Sequence, residues 1–360
     1  MLEMDHGGNI FELARARGVH FRELIDFSAS TNPLGLPEDT AGIIARNIDC
    51  LTHYPEDRNP KLLTALSAYS GARPPEILIG NGATELLYFT LRFLEPQRVL
   101  LPLPTFSEFS RACRILEVPF DSFPLIHACQ GRWEFDWKGL IEQLNQRTHD
   151  LVIFVNPNNP TGAVLDHETL TGILDSAHQA GTRILMDESF IDFVAEPTLV
   201  PLSRRYESLF VLRSLTKFYS MPGLRLGYLV AHHRWISRMI EHREPWQVNN
   251  LAQLLGEAFL NLPHYAETTR SLVEQERTHL VQQLQKFKGL TVFPSRCNFM
   301  LIQLETSRGS VDTLCKHCLE HRIIIRNCSG WPGAPPNCFR VAVRSADDNQ
   351  MLIDALREFL

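Results

Sequence analysis

Ser214-Leu215-Thr216-Lys217-Phe218-Tyr219-Ser220-Met221-Pro222-Gly223-Leu224-Arg225-Leu226-Gly227-Tyr228 follows a short apolar run, Leu209 to Leu212. That run has the length and composition of a buried parallel strand, so Lys217 falls on the loop where the strand ends. Open α/β sheets place their chemistry at that edge. A lysine flanked by the hydroxyls of Ser214 and Thr216, with Arg225 just beyond, offers an amine able to form a Schiff base and groups able to hold a phosphate dianion. Taken alone, the same letters fit a solvated loop lysine beside a surface arginine; the neighbouring motifs decide.

Upstream, from Glu76, the chain alternates strand, loop and helix. Ile77-Leu78-Ile79 leads into Gly80-Asn81-Gly82-Ala83-Thr84-Glu85, and Leu86 to Leu94 continues as helix. A glycine-bearing turn feeding a helix N-terminus presents free backbone N–H groups and a positive dipole end, which suits a phosphate; simple capping explains it equally well. Val99 to Leu103 is the next strand and ends in Pro104-Thr105-Phe106, where Phe106 either stacks on a flat ring or joins the core. After a strand at Pro119 to Leu125, the continuous apolar run Leu151 to Val155 ends in Asn156-Pro157-Asn158-Asn159-Pro160-Thr161-Gly162, a turn that thrusts an amide above the sheet. His167 to Ala180 reads as helix and Thr182 to Met186 as strand, closed by Asp187-Glu188-Ser189-Phe190. Asp187 can cap, pair with an arginine, or keep a pyridinium nitrogen protonated. With a last strand at Leu226 to Val230, this alternation predicts an α/β, mainly parallel, doubly wound sheet.

The flanks differ. His6-Gly7-Gly8-Asn9 and Asp26-Phe27-Ser28-Ala29-Ser30-Thr31-Asn32-Pro33-Leu34-Gly35 suit a segment that wraps over something or ties down the N-terminus. Pro37 to Leu51 and Lys61 to Tyr69 read as helices, broken at His53-Tyr54-Pro55. Beyond the sheet, Arg243 to Phe259 reads as one long helix and Tyr265 to Phe287 as another. Strands at Leu290 to Phe293, Phe299 to Leu304, Ile323 to Arg326 and Cys338 to Val343 suggest a smaller α+β unit closed by a helix, Asp348 to Leu360. Arg326 and Arg340, near its strand ends, can anchor an anionic substrate or form ordinary ion pairs.

Composition bounds the function. A chain of 360 residues with 44% hydrophobic content can bury a large core. Its net charge of −6, with both signs interspersed, offers no basic stripe for nucleic acid or an anionic membrane. An acidic start and apolar runs under about ten residues predict neither signal peptide nor membrane span, hence a soluble, cytoplasmic protein. Eight cysteines in such a chain read as buried thiols. Cys315-Lys316-His317-Cys318 has CxxC spacing, but no second CxxC completes a tetrahedral site, so no metal is expected. The GxGxxG of dinucleotide binders is missing, which disfavours a nicotinamide oxidoreductase.

Four motifs in order, Gly80-Asn81-Gly82, Asn156 to Gly162, Asp187-Glu188 and Ser214-x-x-Lys217 with Arg225, resemble the fold-type I pyridoxal-phosphate enzymes of the aspartate aminotransferase superfamily, over Asp26 to the C-terminus. The resemblance implies an N-terminal arm over 1–45 packing on the active site, a large pyridoxal-phosphate-binding domain over 46–245 and a small C-terminal domain over 246–360. It implies pyridoxal 5'-phosphate as cofactor and a homodimer with active sites at the interface. On it, Lys217 carries the cofactor and later returns a proton, Asp187 pairs with the pyridine nitrogen, Asn159 bonds the phenolic oxygen and Phe106 stacks on the ring. Ala83, Thr84, Ser214, Thr216 and Arg225 would hold the phosphate, with Tyr54 reaching in from the other subunit. Arg340 matches the arginine that clamps a substrate carboxylate.

Within the superfamily the chain is most similar to the branch of histidinol-phosphate aminotransferases and L-threonine-O-3-phosphate decarboxylases. His6-Gly7-Gly8-Asn9 looks like the decarboxylases' arm, Phe190 stands where aminotransferases carry a tyrosine, and the stretches 213–219 and 339–345 also look like theirs. The resemblance therefore implies decarboxylation of L-threonine O-3-phosphate to (R)-1-amino-2-propanol O-2-phosphate, the linker of the cobalamin nucleotide loop, with the substrate phosphate gripped by His6, Asn32, Arg326 and Arg344. A transaminase acting on histidinol phosphate or an aromatic amino acid, with the same lysine, is the second expectation.

Overall fold

Along a strand, alternate side chains point to opposite faces, so a continuous apolar run can be buried only if both faces are covered. That is the arrangement in the computed structural model, which describes residues 7–360. Its large sheet contains β1 (Ile77–Gly80), β2 (Val99–Leu103), β3 (Phe120–Pro124), β4 (Leu151–Val155), β5 (Arg183–Asp187), β6 (Leu209–Ser214) and β7 (Gly227–Val230), in the order β1-β7-β6-β5-β4-β2-β3. Neighbours are parallel from β3 through to β6, whereas β7 runs antiparallel to both β1 and β6. Ile184, Met186, Leu209 and Val211 enter one core, beneath the helices Pro60–Ser70 and His167–Ala180. Leu185, Phe210 and Leu212 enter the other, beneath helices α1 (Gly82–Leu94), α2 (Ser107–Ile115) and α3 (His233–Glu241). The sheet is doubly wound, as the apolar runs require.

Two predicted helices are divided. Arg243 to Phe259 is not continuous: α3 ends at Glu241, and α4 (Asn250–Leu260) starts afresh, its first turn capped by Asn249 Oδ1, which accepts from Ala252 N at 2.8 Å. Pro245 has no N–H to donate, and Trp246 takes a left-handed φ of 60°, so helix cannot propagate through. The Pro37 to Leu51 segment is α-helical only over Thr40–Arg46 and tightens to a 3₁₀ turn over Ile48–Thr52, with Asn47 Nδ2 turned back on Ile43 O. The hairpin Ile126–Cys129 and Arg132–Phe135 had no strand prediction; Gln130 and Gly131, both at positive φ, form its two-residue turn.

After α5 (Pro263–Leu284), a four-stranded antiparallel sheet of β8 (Leu290–Val292), β9 (Phe299–Leu304), β10 (Arg326–Asn327) and β11 (Cys338–Ala342) packs against α6 (Val311–Glu320) and α7 (Ala346–Phe359). The predicted strand Ile323 to Arg326 splits: Ile323-Ile324 pairs in parallel with Ile25-Asp26, and Arg326 belongs to β10. Phe27 is thereby drawn into the core of this smaller lobe. Helix α5 spans both lobes, with Val273 in the large core and Leu280 and Leu284 in the small one.

Gly227 opens β7 where a Cβ would lie 2.6 Å from Ala83 N and 2.8 Å from Arg213 O, so only glycine lets the strand press against the first turn of α1. Gly227→Ala is expected to destabilise the fold by about 1–3 kcal/mol through overpacking against backbone on two sides. A urea melt with an unchanged midpoint would refute this close packing.

Candidate active site

Asp187 ends β5, and Leu212 on β6 stands directly beside it. Lys217 follows β6 by three residues, on a turn closed by Met221 N donating to Thr216 O at 3.0 Å. Parallel register thus delivers carboxylate and amine to the same edge of the sheet. Ser214 Oγ and Thr216 Oγ1 share a hydrogen bond of 2.8 Å, and Lys217 Nζ donates to Ser214 Oγ at 3.3 Å. Burial holds the Asp187 pKa above the usual carboxylate value, opposed by the charge of Lys217 and by Ser189 N, which donates to Oδ1 at 2.8 Å. Burial likewise pushes Lys217 below an ordinary lysine; Asp187 opposes the shift, while the charges of Arg225 and Arg340 add to it. Phe190 is buried between Phe299, at 4.8 Å, and Lys217 Nζ, 5.6 Å from its ring centroid, and offers no hydroxyl.

An anion cradle adjoins the amine. Gly82 opens α1 at φ 82°, and a Cβ there would meet Arg225 Nη2 at 2.5 Å, so the guanidinium lies against the bare helix start. Ala83 and Thr84 supply the next N–H groups, and Asn81 makes no side-chain cap that would compete for them. Burial lowers the Arg225 pKa, the expected result for a partly desolvated cation.

The turn after β4 aims Asn159 into the site because its sister residues are otherwise employed. Asn156 Oδ1 accepts from Leu165 N at 2.9 Å, and Asn158 bridges Pro104 O and the Thr161 hydroxyl. Asn159 Oδ1 accepts from Arg340 Nη1, and Arg340 Nη2 donates to Ser28 O at 2.8 Å. The Nε of Arg340 is buried without a hydrogen-bond partner among the described residues. Arg326 stands opposite Arg340 in the β10–β11 pair, with its guanidinium 5.4 Å above the Trp331 ring. Two buried guanidiniums on one face repel, and burial together with Arg326 brings Arg340 down to about 10, still charged at neutral pH. A cleft of about 1460 Å³ is lined by Thr105, Phe106, Arg326 and Trp331; Arg340, Asn159 and Lys217 are not among its lining residues.

Not every candidate converges. Asn32, expected on the substrate, also bonds within the protein: its Nδ2 donates to Phe218 O at 2.7 Å and Thr269 Oγ1 at 2.7 Å, its Oδ1 accepts from Leu34 N at 3.0 Å, and its backbone N donates to Lys217 O at 2.9 Å. It positions the lysine loop. Arg344, also expected there, is spent on Asp348 at 2.9 Å and Asp26 O at 3.2 Å. Tyr54 lies 78% exposed, stacked on Trp246 at 4.5 Å, outside the cleft of its own chain. His6 lies outside the described residues. Ser28 and Trp331 escaped the sequence reading, although an aromatic within the Gly- and Pro-rich run Gly330 to Gly333, just after Arg326, was a usable signal.

The profile of the aminotransferase class I and II family matches residues 22–356, and the chain belongs to that family. It is 36% identical to the threonine-phosphate decarboxylase of Salmonella typhimurium over 99% of this chain and 96% of that one. Among solved structures, it resembles the L-threonine-O-3-phosphate decarboxylase of Porphyromonas gingivalis with a TM-score of 0.81 and 26% identity, covering 92% of this chain and 98% of that one. It also resembles the histidinol-phosphate aminotransferase of Clostridium acetobutylicum with a TM-score of 0.84 and 26% identity, over 93% and 98% of the two chains.

The residues present fit pyridoxal phosphate: a desolvated amine, a buried carboxylate beside it, and a helix start with an arginine laid across it. Selective reductive methylation of the cofactor-free protein is expected to label Lys217 with a pH midpoint below the usual 10.5, because burial disfavours its charged form. A midpoint at or above that value, read by peptide mass spectrometry, would contradict the desolvated amine.

Proposed function

We propose that this chain is a pyridoxal-phosphate-dependent carbon–carbon lyase that decarboxylates L-threonine O-3-phosphate to (R)-1-amino-2-propanol O-2-phosphate in cobalamin biosynthesis. The observation that carries the reading is the pair Arg326 and Arg340, opposite each other and buried at 4% and 6% exposure beside Asn159. A substrate with both a carboxylate and a phosphate matches two such cations, and the similarity to threonine-phosphate decarboxylases supports it.

Pyridoxal phosphate, when bound, supplies an electron sink for the pair left at Cα after a bond there breaks. The chain does the rest. Asp187, at the end of β5, would hold the ring nitrogen in its protonated form, and Asn159 would face the phenolic oxygen. Ala83, Thr84, Ser214, Thr216 and Arg225 would take the cofactor phosphate, and Phe106 one ring face. Lys217, neutral more readily than an ordinary lysine, would form the covalent link and later deliver a proton to Cα. Arg326 and Arg340 would fix the two anionic ends of the substrate. Gripping a phosphate that does not react lets its binding energy orient the Cα–carboxylate bond.

The same proposal includes the arm over 1–45, the cofactor domain over 46–245 and the small domain over 246–360 as functional units, a cytoplasmic setting, and a homodimer. Exposed Ile48 (54%), Leu51 (55%) and Tyr54 (78%) form an apolar face that a second copy would cover, bringing Tyr54 to the partner's cofactor phosphate. Among the described residues no helix is long and apolar enough to cross a membrane.

Incubation with O-phosphothreonine is expected to release CO₂ without 2-oxoglutarate, and Arg326→Gln should lower kcat/KM roughly ten- to a hundredfold, the value of a charge-assisted hydrogen bond. If 2-oxoglutarate is obligatory and no CO₂ appears, the protein is a transaminase. Light scattering should give twice the chain mass, with Tyr54→Phe weakening cofactor affinity by about tenfold; a monomer with full affinity would exclude the shared site.

A further inference from the structure

The sequence CxxC at Cys315 to Cys318 draws attention to α6, and the structure shifts the interest to the histidine between the two thiols. Cys318 is fully buried in the core of the small lobe, and Cys315 packs against the same core. His317 and His321, one helical turn apart, lie on the side that meets α7, with their ring centroids 4.7 Å apart. Glu358, from the last turn of α7, completes a group whose ligand atoms all fall within 4.8 Å of one another.

Two details distinguish this group from a chance surface cluster. His317 Nε2 lies 2.9 Å from Ala355 O; a carbonyl only accepts, so the ring proton sits on Nε2 and Nδ1 keeps a lone pair. An imidazole oriented by a backbone carbonyl in this way is the usual support of a metal-binding histidine. His321 Nε2 and Glu358 Oε2 are 3.3 Å apart, which matches the donor–donor edge of about 3.3–3.4 Å set by zinc bonds of about 2.0–2.1 Å in a tetrahedron.

We propose that His317, His321 and Glu358 bind a borderline divalent transition-metal ion such as Zn²⁺, with water in the remaining position. Two imidazoles and one carboxylate suit that class better than Mg²⁺ or Ca²⁺, which prefer all-oxygen sets. The site lies in the small lobe and uses none of the residues assigned to the reaction. Its effect is mechanical: it joins α6 to the end of α7 and resists fraying of that helix.

The test uses untagged, cofactor-loaded enzyme titrated with Zn²⁺ by calorimetry and with Co²⁺ by visible absorbance. One equivalent per chain is expected, with the intense d–d bands of tetrahedral Co²⁺ and a Zn²⁺-dependent rise in Tm. His321→Ala and His317→Ala should each lose that equivalent, while retained cofactor absorbance shows that they are folded. Cys315→Ser should keep it. Absence of binding, or binding unchanged in both histidine variants, would mean that His321 and Glu358 form an ion pair only; loss of binding in Cys315→Ser would place the ion on thiols. Either result overturns the proposal.

Discussion

Desolvating an amine and a carboxylate at the ends of neighbouring strands is the constraint on which the structure depends. Neither Lys217 nor Asp187 is comfortable when buried, since water is lost to both, and each moderates the cost to the other. Below them a second charged group is compensated within itself: Arg213 meets Asp192 at 2.6 Å and Glu188 at 3.5 Å, and Tyr69 donates to Asp192 at 2.7 Å. Within it Arg213 Nε and Asp192 Oδ2 stay buried without a hydrogen-bond partner among the described residues. Elsewhere in the site the buried guanidiniums of Arg326 and Arg340 stand opposite each other in the β10–β11 pair.

The two kinds of anion are met by different physics. The cradle at α1 offers backbone N–H groups and depends on the small size of Gly82 and Gly227, so on the proposed reading it would meet a phosphate by shape and dipole as much as by charge. The Arg326–Arg340 pair comes from the other lobe and from antiparallel strands, where facing residues are held at a fixed separation. On the proposed reading, the large sheet would seat the cofactor and the small one would clamp the substrate.

The sheet was legible because buried parallel strands leave continuous apolar runs, and the residues at their ends, Asp187 and Lys217, announce themselves by being charged where the run stops. The helix break at Pro245 was equally written in the chain, but amphipathic spacing on both sides concealed it. The commitments of Asn32 and Arg344 could not be read locally. Their partners, Thr269 and Asp26, lie 237 and 318 positions away, and only tertiary packing shows that these polar groups are already engaged. Similarly, no local signal places Arg326 opposite Arg340, because the register depends on a strand that splits after Ile324.

Helix α5 is 22 residues long, roughly 33 Å, and its two halves are embedded in different cores. Its first turns carry Tyr265 and Thr269, which take the amide of Asn32, and Asn32 in turn grips the carbonyls of Lys217 and Phe218. Those bonds tie the first turns of α5 to the Lys217 segment, while its last turns lie in the core of the small lobe. One asparagine, Asn32, thus joins the helix that runs through both cores to the loop that carries Lys217.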